Sequence, residues 1–127
     1  MSSATAPRTV ISFGHLHASP PRADVTFNVS DFLRDPARVD GLLDHDGFHP
    51  EVKHVVRTTP GAATLVALVV QLVTGWPADR TCTVAIGCQG GKHRGPALAE
   101  LVGTLLATLG QLVAIEHRDV HRPRVLI

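Results

Sequence analysis

The segment Gly87-Cys88-Gln89-Gly90-Gly91-Lys92-His93-Arg94-Gly95-Pro96 holds the residues best suited to chemistry in this chain. Glycines let consecutive backbone N–H groups turn toward one point, a helix starting behind them adds the positive end of its dipole, and Lys92 and Arg94 add full charges. His93 adds a further positive charge when protonated. The pattern is that of an anion cradle, and phosphate is the anion it suits best. Gly90, Gly91, Lys92, His93 and Arg94 are therefore the candidate phosphate-binding residues. A plain strand-to-helix turn would call for glycine but not for three adjacent cationic or ionisable side chains.

Cys88, Gly91 and Arg94 also satisfy the Cys-x-x-Gly-x-x-Arg spacing of cysteine-dependent phosphatases. In that chemistry a thiolate held by loop amides attacks phosphorus while the arginine clamps the equatorial oxygens. The positions where those enzymes carry His and Ser or Thr are here Gly87 and Gly95, so Cys88 and Arg94 would be catalytic without their usual helpers. The acid would come from Asp31, Asp35 or Asp119. Gly91-Lys92 is not a nucleotide triphosphatase loop, because His93 replaces the Ser or Thr that would hold magnesium. Among the eight histidines, His15 with His17 and His45 with His49 lack a matching set of carboxylates or cysteines, so no metal and no cofactor is expected. A second basic run, His117-Arg118-Asp119-Val120-His121-Arg122, offers His117, Arg118, His121 and Arg122 as an extension of the pocket or as a face for RNA.

These residues need elements to hold them. Thr81 to Ile86 is short, β-branched and apolar, and from Pro96 to Leu109 the apolar residues recur at helical spacing, so the cradle joins a strand to a helix N-terminus. Upstream, Thr9 to Phe13 and Ala23 to Val29 read as strands, the second with Val25, Phe27 and Val29 on its better buried face. Asp31 to Pro50 reads as a long irregular segment with a short helix around Arg38 to Leu43. Val52 to Arg57 is ambiguous, and Ala62 to Thr74 is a helix closed by Gly75-Trp76-Pro77. Gly110 stops the last helix, and Leu112 to Glu116 makes the final strand. The expected fold is α/β, a single layered domain with a small, largely parallel sheet and a strand, Gly-rich loop and helix unit. If the last strand runs parallel to the central one, Arg118 emerges at the same edge as Lys92 and Arg94.

With 127 residues the chain has room for one domain, expected over residues 8–127 behind a disordered lead at residues 1–7. Four Phe and one Trp argue against base stacking as a dominant mode, and a formal charge of +1 argues against wholesale wrapping of nucleic acid. Cys82 and Cys88 are read as reduced thiols, Cys82 in the core, which fits a cytoplasmic protein. The N-terminus lacks the layout of a signal peptide. Ala62 to Val73 is apolar but shorter than the roughly 20 residues a bilayer requires, so no membrane partner is expected.

Ile86-Gly87-Cys88-x-Gly90-Gly91-Lys92-His93-Arg94 followed by His117-Arg118-Asp119 resembles the C-terminal domain of the RNase adapter protein RapZ and its relatives. The likeness extends to Ser12-Phe13-Gly14 and to Ala23-Asp24-Val25-Thr26-Phe27-Asn28-Val29, and so covers Val10 to Arg122. The resemblance implies an α/β domain that recognises phosphorylated ligands, with glucosamine-6-phosphate and small regulatory RNA as family ligands. It also implies self-association. In that family a nucleotide-binding P-loop domain precedes this one, so a stand-alone domain is expected here. It departs from the family at His15-Leu16-His17-Ala18, Asn28-Val29-Ser30 and Gly95. The implied function is a regulatory domain that binds a sugar phosphate or nucleotide. An RNA-binding adapter and a cysteine-dependent phosphatase are the alternatives.

Overall fold

The computed structural model describes residues 6–29, 47–88 and 94–121. Within them the β-branched and apolar runs form β1 (Arg8–Gly14), β2 (Val25–Asn28), β3 (Cys82–Cys88) and β4 (Val113–His117), and the helices are α1 (Pro50–Thr58), α2 (Ala62–Thr74) and α3 (Arg94–Thr108). The sheet order is β2-β3-β1-β4 and every pairing is parallel. Gly14 pairs with Cys88, Asn28 with Gly87, and Ser12 with His117. All four strands consequently end at one edge.

Val10, Val84, Ile86, Val113 and Ile115 face the helices, and the core is completed by Val52 and Val56 of α1, Val69 and Val73 of α2, and Leu98, Val102 and Leu106 of α3. Gly103 lets α3 lie against β4, since a Cβ there would collide with Ile115. The expected alternation of β2 is present: Thr26 and Asn28 are exposed, Val25 and Phe27 half-buried, and Val29 buried.

Three boundaries differ from the sequence reading. The ambiguous stretch at Val52 is the nine-residue helix α1, started by Pro50 and capped where His49 Nδ1 accepts the Glu51 N–H at 3.2 Å. The central strand runs on through Gly87 to Cys88, and α3 begins at Arg94, so Pro96 lies in a first turn where its missing N–H costs nothing. Ala6 and Pro7 are already tied in, as the Ala6 N–H donates to Ala78 (2.7 Å) and the Pro7 carbonyl accepts from Cys82 (3.3 Å). The expected helix at Arg38 to Leu43 and residues 1–5 of the lead lie outside the described residues. Among the described residues no single helix is long and apolar enough to cross a membrane.

Arg8, at the opposite edge from the strand ends, carries no sequence signal of its role. Its side chain is buried at 1% exposure and donates to the carbonyls of Trp76, Pro77 and Arg80 and to Gln111 Oε1. One guanidinium thus fastens the α2–β3 and α3–β4 connections to the start of β1.

Candidate functional site

The carboxyl edge of a parallel sheet is where open α/β folds bind ligands, because loops and helix N-termini gather there. Here that edge collects Gly14, Asn28, Cys88 and His117 with the residues that follow each. Cys88 and Arg94 anchor the two ends of the glycine-rich loop. Gly90, Gly91, Lys92 and His93 lie outside the described residues, as does Arg122.

The anchors are tightly packed. Arg94 opens α3 and is 5% exposed. Cys88 is buried, its carbonyl accepts the His15 N–H at 2.9 Å, and its Sγ accepts the Gly95 N–H at 3.4 Å. A Cβ at residue 95 would stand 3.1 Å from the Ile86 carbonyl, so glycine fits the junction. Gly87 is required for a different reason. The Phe13 ring lies across it, and a Cβ there would also meet His15 Nε2 at 2.8 Å. Cys82 and Cys88 are both free thiols at opposite ends of β3, about 20 Å apart at strand rise. Burial, joined by the charge of Asp24 and opposed by Arg8, raises the Cys82 thiol above its ordinary range.

The His117-Arg118-Asp119 run does emerge beside the loop anchors, but its side chains are engaged with the protein itself. Arg118 Nε donates to Asp119 Oδ2 (2.9 Å), Nη2 to the carbonyls of Gly14 and Ala18 (both 3.3 Å), and Nη1 to the Ser19 carbonyl. Its guanidinium also stacks over the Phe13 ring, 5.3 Å from the centroid. Asp119 is fully buried and accepts the Gly14 N–H at 2.8 Å. Burial alone would raise its carboxyl pKa. The Gly14 and Arg118 hydrogen bonds and the charges of Arg118 and His17 outweigh that and hold it below the ordinary range. Together these residues clamp the β1–β2 loop.

His117 bridges two elements that the sequence does not connect. Its Nδ1 lies 2.6 Å from Ser12 Oγ and its Nε2 lies 3.2 Å from Glu100 Oε2 on α3, with Phe48 edge-on to the ring at 4.8 Å. His121 is exposed, with its ring 6.2 Å from Phe48. Ser12 stands 105 residues from His117 along the chain, and no pattern in the sequence links the two; the parallel register that pairs them is the signal that brings them together. Among the described residues no group of three or more His, Cys, Asp or Glu is placed to hold a metal ion.

Comparison with known proteins agrees with this architecture. The family model described as the RapZ C-terminal domain matches residues 8–121. A nucleotide-binding protein of Mycobacterium sp. (strain KMS) is 41% identical over 121 residues, covering 90% of this chain and 39% of that protein. A nucleotide-binding protein of Mycobacterium leprae is 42% identical over 128 residues, covering 95% of this chain and 43% of its own length. One from Frankia alni is 38% identical over 120 residues, covering 90% and 41%. The chain therefore spans about two-fifths of the length of the curated relatives it matches. With that match running from the first residue of β1 to the turn after β4, the chain belongs to the RapZ C-terminal domain family.

Proposed function

We propose that this domain binds a phosphorylated small molecule, a nucleotide or a sugar phosphate, through the loop between β3 and α3, with Gly90, Gly91, Lys92, His93 and Arg94 as the anion ligands. One observation carries the reading. β3 ends at the carboxyl edge of an all-parallel sheet and α3 starts with a basic residue at that same edge, so the helix dipole and Arg94 flank the loop. The relatives' names, nucleotide-binding protein, fit a phosphorylated ligand and put nucleotides first among the compounds to test. The domain acts as a regulatory binding module. A thermal-shift series with nucleotides, sugar phosphates, inorganic phosphate and sulfate tests it: one phosphorylated compound raises the melting temperature of wild type and not of Lys92→Ala. A uniform response to all anions, or an unchanged response in Lys92→Ala, contradicts it.

The contact from Gly95 N–H to Cys88 Sγ favours phosphatase chemistry as the second reading. That reading requires phosphate release that Cys88→Ser abolishes. RNA binding would draw on Arg118, whose donors are already engaged with loop carbonyls and Asp119, and on a steep fall of affinity with salt.

A further inference from the structure

Helices α1, α2 and α3 together line an apolar groove of about 610 Å³. One wall is α2, where Ala63, Ala67 and Val70 follow one another at i, i+4 and i+7; the other is α3, where Leu101, Leu105 and Thr108 do the same. Small side chains on one wall permit close backbone approach, and Leu105 at 44% and Leu109 at 57% exposure form an apolar rim on the other. Two helical rows flanking an apolar trough match the footprint of a third helix.

Charge identifies the occupant. Lys53 and Arg57, one turn apart on α1, line the groove, and among the described residues neither forms an ion pair. The one carboxylate in the lining, Glu100, is held by His117 at 3.2 Å. The rest of the lining, from Ala62 to Val70 on α2 and from Leu101 on α3 to Leu109, carries no acid. A second copy packed groove to groove by a two-fold axis would therefore bring no free carboxylate to Lys53 and Arg57. We propose that the groove docks an amphipathic helix of a partner protein, its leucine-type face in the trough and acidic residues in the turn that meets Lys53 and Arg57. A helix entering with its C-terminus there adds the negative end of its dipole.

The test uses a fluorescein-labelled 18-residue helical peptide with leucines at i, i+3 and i+7 and two glutamates in its last turn, and a twin with lysines in place of the glutamates. Anisotropy is measured with the full chain. The glutamate peptide is expected to bind wild type at least about tenfold tighter than its twin, a difference the double variant Lys53→Glu plus Arg57→Glu reverses. Ala67→Arg, an exposed helix position, is expected to weaken binding by a similar factor with an unchanged melting temperature. Equal affinity for the two peptides, no binding of either, or indifference to Ala67→Arg would overturn the proposal. So would sedimentation showing a dimer that Ala67→Arg disperses, which would assign the groove to a second copy.

Discussion

Asp119 receives the Gly14 N–H and the Arg118 guanidinium while fully buried, so its charge is a component of the scaffold under the candidate site. Its native pKa lies below the ordinary 3.8. A carboxyl group depressed in the native state contributes stability above its unfolded pKa and loses it as pH falls toward the native value. Wild type is accordingly expected to exceed Asp119→Asn by about 1–3 kcal/mol at neutral pH. Urea denaturation across pH should show that gap constant near neutrality and shrinking once pH drops below 3.8. A gap independent of pH would mean that the charge of Asp119 is not what holds the loop. The edge at which the His117-Arg118-Asp119 run emerges was legible only on the condition that the last strand runs parallel, which it does, whereas the position of Asp119 itself was not. Nor was the role of Arg118. Its partners Gly14, Ala18 and Ser19 lie about a hundred residues upstream, and nothing in a basic run distinguishes a ligand contact from a clamp.

Helix α3 links the candidate loop to the core, and its stop signal is well defined. Gly110 has φ +84°, its N–H donates to the Ala107 carbonyl, and the Gln111 N–H reaches back to Leu106, both at 3.0 Å, which closes the helix in a Schellman turn. A Cβ on Gly110 would meet nothing within 4 Å, so Gly110→Ala isolates the conformational cost of the left-handed backbone. Chemical denaturation should find it about 1 kcal/mol less stable. No loss would show that the turn readily adopts another conformation. Gly110 was readable as a terminator because a glycine directly after an apolar helical run supplies the left-handed residue that helices commonly end on. Helix α1 was not readable because Val52, Val55 and Val56, although at helical spacing, span barely more than one turn and are β-branched, which leaves a short strand equally open; its apolar face is specified by contact with α2 and α3. Helix α3 starts two residues ahead of Pro96, the start that the sequence suggests, because proline is equally at home further inside the first turn.

Across the whole molecule the two edges of the sheet have different duties. At the amino edge Arg8 joins two connections through buried hydrogen bonds, whereas the carboxyl edge gathers Cys88, Arg94 and the clamp on the β1–β2 loop. Arg8→Met is thus expected to cost about 3 kcal/mol in a denaturation experiment, through carbonyls left without a donor, and to leave ligand affinity unaltered. Lys92→Ala should do the reverse. The parallel layering was legible because strand-like runs alternate with helical ones, while the role of Arg8 depends on carbonyls some seventy residues away. The most direct test of ligand binding at the carboxyl edge is an amide chemical-shift titration of the full chain with inorganic phosphate and then with the phosphorylated compound that stabilises it most. Perturbations concentrated at Gly14, Gly87 to Gly95 and their sheet neighbours, and absent in Lys92→Ala, are the predicted result; perturbations centred on Arg8, Cys82 and Leu112, or on the outer faces of α1 and α2, would contradict it.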